Sequence, residues 1–279
     1  YGPIGTRTFL RASLGCSDSN LCFLLHYHEF VPKHFTDADI EKHLASSPPA
    51  MECEGSHEFL KVNDKDYYDC GDISTMHVKC APIDHRVFCI GYVIQQPDKE
   101  GSLDMKKLVK TYKVKPGPWC RDLKAGKSVT LESGQVIHPK DALGDPTPGL
   151  KVCIMGDTSD GRGGLNYIAK NCDLMTHEST LKSDQKEMAI ERGHSTPEMA
   201  AKFAKELNIR HLVLTHFSAR FYRSKEDLPE NDPDSTTLFD LVDEAKTIFG
   251  DKVHLAEDFK SFELSFKNRD KLSMSLNKN

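Results

Sequence analysis

Four short apolar runs in this 279-residue chain each stop at a histidine or an aspartate. Residues 76–83 (MHVKCAPI) run into Asp84-His85, and 151–155 (KVCIM) into Gly156-Asp157-Thr158. Residues 173–175 run into Thr176-His177-Glu178-Ser179, and 211–214 (HLVL) into Thr215-His216-Phe217-Ser218. Short β-rich runs bounded by turn residues read as buried strands. In layered α/β folds, ligands gather where such strands hand over to loops at their carboxyl ends. Imidazoles and a carboxylate placed there can converge on one point, with a chemistry that suits a divalent metal such as zinc.

Each residue has a plainer explanation when taken alone. Asp157 could cap a tight turn, and His85 or His216 could be a hydrogen-bonded core histidine. Together they favour a site, because an isolated buried His or Asp is costly unless paired or metal-bound. His194 lies just before a predicted helix start, where free backbone N–H groups attract anions, so it is the candidate to contact a phosphoryl oxygen or protonate a leaving alkoxide. Its neighbours Ser195 and Thr196 are candidate phosphate contacts. His177 and Glu178 are candidates to orient the metal ligands or His194 from behind. Ser218 and Arg220 sit within reach of a phosphate, with a surface salt bridge as the rival role for Arg220.

The nine cysteines are odd in number, scattered, and include no CxxC pair, which predicts reduced thiols and a cytoplasmic or also nuclear setting. No stretch approaches the roughly 20 apolar residues of a membrane span. A net charge of -5 argues against a general nucleic-acid binder, but the charge is unevenly spread. Residues 99–127 hold nine basic and three acidic side chains around Pro116-Gly117-Pro118-Trp119. This predicts a protruding basic arm over about 97–130, in which Lys113, Lys115, Pro116, Gly117, Pro118 and Lys124 would contact RNA; a solvated charged face is the plain alternative.

Along the chain, 5–15 predicts a short helix and 21–30 a strand, while the polar stretch 36–64, broken at Ser46-Ser47-Pro48-Pro49, is expected to loop out. Residues 67–94 should hold two or three strands. The alternation of strand, loop, strand, helix and strand over 151–215 predicts an α/β layered fold. Ser195-Thr196-Pro197-Glu198 reads as a capping box, opening a helix packed through Met199, Phe203 and Leu207. An acidic loop (224–235), an amphipathic helix (236–249) and one or two closing strands (252–266) follow. The polar end, 268–279, is expected to be disordered.

The blocks Gly156-Asp157-Thr158, Thr176-His177-Glu178-Ser179-Thr180, Gly193-His194-Ser195-Thr196 and Leu214-Thr215-His216-Phe217-Ser218-Ala219-Arg220 occur in the order and spacing of ribonuclease Z. The chain resembles that family, the tRNA 3′-end processing nucleases of the metallo-β-lactamase superfamily, and most of all its short form, over nearly its whole length. The resemblance implies an α/β fold, the αββα sandwich, spanning 1–267 and holding two zinc ions (Zn2+). It implies His85, Asp157 (bridging) and His216 as metal ligands, and His194 as the residue assisting the scissile phosphate or leaving group. The basic arm is similar to the family's flexible exosite, which grips the tRNA elbow. The expected substrate is precursor tRNA, the expected assembly a homodimer, and no membrane is involved.

One departure carries consequences. The family's His-x-His-x-Asp-His loop precedes the Tyr-Gly-Pro segment, and this sequence, which opens at Tyr1-Gly2-Pro3 without Met, holds no such motif. The sandwich is therefore expected to be incomplete at its N-terminus, with further zinc ligands and the general-base aspartate missing. Two rivals remain at this point: a metallo-β-lactamase-fold esterase of a small substrate, for which the basic arm has no use, and a non-catalytic RNA-binding fragment, which would hold no zinc. Manganese would accept the same ligands as zinc.

Overall fold

A computed structural model describes residues 1–19, 21–49, 52–228 and 235–276. Tyr-Gly-Pro begins a two-residue strand, β1 (Gly2–Pro3), followed by α1 (Thr6–Cys16), β2 (Leu21–Val31), α2 (Asp37–Ala45) and β3 (Glu52–Lys61). β1 and β3 both pair with β2 in parallel, so each intervening helix is a crossover. The expectation that 36–64 loops out does not hold. Thr36 and Asp39 cap α2 reciprocally, with Asp39 N donating to Thr36 Oγ1 (3.3 Å) and Thr36 N to Asp39 Oδ2 (2.7 Å). The Ser-Ser-Pro-Pro run only ends that helix. β3 is polar along its length and is held by its ladder to β2, a long-range pairing that no local pattern announces.

Three antiparallel strands come next: β4 (Tyr68–Ile73), β5 (Met76–Ile83) and β6 (Cys89–Gln95). Phe30 of the first sheet is fully buried among Tyr68, Cys80 and Ile90 of these strands, and Tyr68 donates to Val31 O at 2.7 Å. This apolar layer joins sheet to sheet.

Residues Gln96–Leu150 form a compact unit of their own. It contains α3 (Met105–Tyr112), α4 (Trp119–Lys124), β7 (Val129–Thr130), β8 (Val136–Ile137) and α5 (Pro139–Ala142). Leu108, Leu123, Ile137 and Ala142 are fully buried at its centre. The basic stretch thus rides on a small folded body ending at Leu150, where the sequence suggested an arm ending near 130. Ile137 and Ala142 complete the core, and they lie beyond the charged stretch that marked the arm.

The first unit resumes with β9 (Lys151–Ile154), α6 (Leu165–Ile168), β10 (Leu174–Glu178), α7 (Lys186–Glu191), α8 (Pro197–Glu206), β11 (His211–Thr215), α9 (Leu238–Phe249) and β12 (Val253–Leu255). The hairpin β13 (Lys260–Glu263) and β14 (Ser273–Leu276) closes it. The large sheet has the order β12-β11-β10-β9-β6-β5-β4, with β9 to β12 mutually parallel and β6 antiparallel to β9. On one face, Met175, Leu212 and Leu214 pack against Ala200, Phe203 and Ala204 of α8 and against Val242 and Ala245 of α9. On the other, Leu174 and Val213 pack against Leu272. Strands covered on both faces read as continuous apolar runs, which is why these were the clearest elements of the sequence.

Two expectations need correcting here. Residues 268–276 are ordered: Leu272 is buried, Arg269 Nη1 bonds the buried Asp173 carboxylate (3.0 and 3.1 Å), and Asp270 pairs with Arg210 and Lys252. Long-range partners hold a segment whose composition reads as a tail; 277–279 lie outside the described residues. The capping box before α8 also differs. Thr196 caps the helix alone, accepting from Met199 N (3.3 Å), while Glu198 pairs with Lys202. Of the acidic loop, 229–234 lie outside the described residues. Among the described residues, no helix is long and apolar enough to cross a membrane.

Candidate metal centre

Because β9, β10 and β11 are parallel, their carboxyl ends lie side by side. Glu178 pairs with Thr215, and Thr176 with Ile154, so Asp157 (three residues past Ile154) and His216 (one past Thr215) flank the end of β10. His216 Nε2 lies 3.4 Å from Asp157 Oδ2. A ligand atom from each of Asp157, His194 and His216 falls within 4.8 Å of the other two. His85 adjoins this trio through His194, ring edge to face with centroids 5.1 Å apart, and His194 stacks on His216 at 5.4 Å. The structure therefore gathers all four predicted residues, with His194 inside the tightest group and His85 beside it.

The hydrogen bonds around the rings fix their tautomers. A carbonyl oxygen only accepts, so the 2.5 Å contact from His85 Nδ1 to Gly193 O puts the proton on Nδ1 and leaves the lone pair on Nε2. Glu178 Oε1 accepts from His194 Nδ1 at 3.1 Å, with the same result. Thr180 donates its hydroxyl to Glu178 Oε2, so the same oxygen must accept from His216 Nδ1 (2.8 Å), and Nε2 of His216 is left facing Asp157. Three imidazoles are thus tied back through Nδ1 with Nε2 available, which is how proteins hold metal-ligating histidines.

Glu178 is the hub. It is 1% exposed and receives Thr158 N (2.6 Å) and His194 Nδ1 on Oε1, Ser195 N (3.0 Å) and Thr180 Oγ1 on Oε2. One carboxylate thereby locks the loops that carry Asp157, His194 and His216. Asp84 secures the fourth: its Oδ2 accepts from Ser159 Oγ (2.7 Å), its carbonyl from Ser159 N (2.8 Å), and its N–H donates to Asp160 O (2.9 Å).

Two backbone positions are unusual. His216 has φ +53°, a left-handed conformation that costs a non-glycine residue on the order of 1 kcal/mol and that clusters at functional sites. Gly193 has φ +74°, and a Cβ there would meet His85 Nδ1 at 2.8 Å. Only glycine allows the carbonyl of residue 193 to reach His85 in this way.

Several candidate residues stand elsewhere. His177 points to the opposite side of β10 from Glu178, donates Nδ1–H to Glu178 O (2.9 Å) and sets its ring edge on Phe203. It is fully buried, and burial pushes its pKa down. It is a core histidine, and the orienting role expected of the pair rests with Glu178 alone. Ser195 and Thr196 are also buried, so neither hydroxyl is open to a phosphate: Ser195 Oγ donates to Thr158 O (2.5 Å), and Thr196 caps α8. Arg220 is exposed, bonded to Ser218 Oγ (3.0 Å), and lines a cleft of about 360 Å³ with Lys182, Phe221 and Tyr222. Lys113, Lys115 and Lys124 are exposed on the 96–150 unit, where Pro116, Gly117 and Pro118 lead into α4.

The sequence singled out neither Thr180 nor Gly193, although Thr176, Glu178 and Thr180 share the period-two parity of one strand face. The donor set fits a metal: imidazole nitrogens with one carboxylate, all oriented, suit zinc and its divalent first-row neighbours. A two-sheet sandwich with such a site at its strand ends is the arrangement of a metal-dependent hydrolase of the metallo-β-lactamase fold. No protein-family model matches the chain. It is, however, 36% identical over 280 residues to human zinc phosphodiesterase ELAC protein 1, covering 96% of this chain and 74% of that protein. It is 32% identical over 250 residues to ribonuclease Z of Limosilactobacillus reuteri, covering 87% and 69%. The crystal structure of human tRNase Z, short form, superposes with a TM-score of 0.50 at 26% identity, covering 93% of this chain and 64% of that one. The chain belongs to the ribonuclease Z family. It spans about three quarters of the human curated relative and under two thirds of the solved human chain.

Proposed function

We propose that this chain is the main part of a metal-dependent endoribonuclease that cuts precursor tRNA on the 3′ side of the discriminator nucleotide. One observation carries the reading: the imidazoles of His194 and His216, tied back at Nδ1, meet the carboxylate of Asp157, and His85, tied back in the same way, packs against His194. Two zinc ions would be held by His85, Asp157 and His216. Bound there, they would supply positive charge at the scissile phosphate and acidity to water.

The chain's own residues do the rest. Glu178, accepting from Nδ1 of His194, fixes that ring so that its Nε2 edge would assist departure of the 3′ oxygen. The products would be a tRNA 3′-hydroxyl and a trailer 5′-phosphate. Exposed Lys113, Lys115 and Lys124 would hold the tRNA body through phosphates, and a homodimer is the proposed assembly.

The test compares Asp157→Ala with the parent in the gene product that carries this chain, measuring zinc content and cleavage of a trailer-bearing precursor tRNA. Both should fall, the rate by several orders of magnitude. Near-normal turnover with intact zinc refutes the assignment. Efficient cleavage of a small phosphodiester, unaffected by charge reversal at Lys113 and Lys115, would favour a small-substrate esterase instead.

A further inference from the structure

At one edge of the seven-stranded sheet, β4 and β5 bring two thiols together. Cys70 Sγ and Cys80 Sγ lie 3.7 Å apart. The register explains why. Tyr68 pairs with Cys80 and Asp69 with Lys79, then the ladder shifts so that Gly71 pairs with Val78. Cys70 is the extra residue of a β-bulge, and the bend turns its side chain toward Cys80 on the neighbouring strand. The pair differs in access. Cys80 is fully buried beside Phe30 and Tyr68, whereas Cys70 is half-buried on the edge strand of the seven-stranded sheet. Of the other described cysteines, Cys153 and Cys172 are buried, Cys16 and Cys22 exposed, and Cys89 and Cys120 half-buried with no thiol partner among the described residues.

We infer that Cys70 and Cys80 form a peroxide-responsive dithiol, a modification site in which Cys70 is attacked first and Cys80 resolves it into an intramolecular disulfide. The sulfur–sulfur contact lowers the Cys70 pKa, while the same contact and burial raise that of Cys80, which matches an attacking and a resolving partner. In the first step the Cys70 thiolate attacks a hydroperoxide oxygen; the S–O bond forms, the O–O bond breaks, and the leaving oxygen departs protonated as water or alcohol. In the second step the Cys80 sulfur attacks Cys70 sulfur; S–S forms, S–O breaks, and the Cys80 proton leaves with the hydroxide as water. Two thiols are oxidised and one peroxide is reduced, with no further reactant. The sulfurs must close by less than 2 Å to bond, within the reach of rotamer changes and the pliancy of a bulged edge strand.

The experiment treats the chain with hydrogen peroxide, removes it, and maps the cysteines by mass spectrometry after alkylating remaining thiols. The expected result is a cross-linked peptide pair joining residues 70 and 80, with the mass of two hydrogens lost and reversal by a dithiol reductant. Cys80→Ser should instead accumulate a sulfenic acid at Cys70, trapped by a cyclic diketone, and Cys70→Ser should leave Cys80 reduced. The proposal is overturned if Cys70 proceeds to sulfinic acid while Cys80 stays alkylatable, or if Cys70 reacts no faster than buried Cys153. Should Cys80→Ser fold poorly, the wild-type map and Cys70→Ser still decide the matter.

Discussion

Among the described residues, two groups of histidines stand in contrast, and the one beside Asp157 has the donor set of a metal site. Beside Asp157, His85, His194 and His216 give their Nδ1 protons to a carbonyl, a carboxylate and a hydroxyl, keeping Nε2 for something else. At the other cluster, both ring nitrogens of His211 and Nε2 of His254 are spent on protein. His211 Nε2 donates to Arg269 O (2.9 Å), and its Nδ1 accepts from His254 Nε2 at 3.2 Å, with Phe262 against the His254 ring. Among the described residues, no carboxylate bonds either of these two rings. Proximity of imidazoles is therefore a poor guide to metal binding; what decides is where the lone pairs are left.

The largest effect that separates the clusters should come from the carboxylate. Asp157→Ala is expected to lower zinc content and precursor cleavage by several orders of magnitude, whereas His211→Gln should leave zinc content, read by elemental analysis, at the parent level. Zinc lost on changing His211 would break the comparison.

Next in size is the hub. Glu178→Gln keeps the shape but replaces an acceptor oxygen by an NH2 facing N–H donors. At least one of Thr158 N, Ser195 N and His194 Nδ1 then loses its partner, at a cost of about 1–3 kcal/mol per buried group. Metal affinity should weaken on the order of 10–100-fold, as when an outer partner of a ligating histidine is removed. An unchanged zinc dissociation constant with reduced thermal stability would make Glu178 merely structural.

The second cluster should announce itself through pH. Burial first, and the neighbouring His211 second, lower the His254 pKa to about 4. Its folded value lies below the unfolded value of about 6.5, so the unfolded chain binds the proton more readily. Stability from this group is full above pH 6.5, declines as pH falls, and is exhausted below about 4. Partial exposure limits the change to on the order of 2 kcal/mol. His254→Phe should flatten the denaturation midpoint between pH 4 and 6.5, and a slope that persists there assigns the titration elsewhere.

How far the sequence foretold this contrast depends on the range of the forces involved. The strands carrying the candidate ligands were legible because β9 to β11 are buried on both faces and end abruptly in Gly-Asp-Thr, Thr-His-Glu and Thr-His-Phe. The four-block resemblance pointed to Asp157, His194 and His216 by position, and the geometry gathers them. Tautomers were not legible, since they depend on Gly193 O, Thr180 Oγ1 and Glu178, which come from other parts of the chain. Ser195 and Thr196 looked like phosphate contacts because a helix start normally faces solvent; here the Thr158 carbonyl and the body of α8 bury it. The ordered segment 268–276, with β14, and the polar strand β3 were missed for one shared reason: pairing and ion contacts far along the chain hold them, not an apolar period.

The smallest expected effect is also the most local. Thr180 Oγ1 donates to Glu178 and accepts from His216 Nδ1, so it alone relays the orienting influence of the buried carboxylate to a ring with φ +53°. Thr180→Val keeps the branched shape and removes only that oxygen. Nδ1 of His216 then loses its acceptor, both tautomers become accessible, and Nε2 carries the lone pair only part of the time. Zinc affinity should fall a few-fold, about 1 kcal/mol, the worth of one such hydrogen bond. Nitrogen-15 chemical shifts of the His216 ring in the metal-free protein should show a tautomer mixture in the variant and Nδ1–H alone in the parent. If the parent already shows a mixture, the ring is not held in advance, and in that respect the metal centre resembles the His211–His254 pair more than it differs from it.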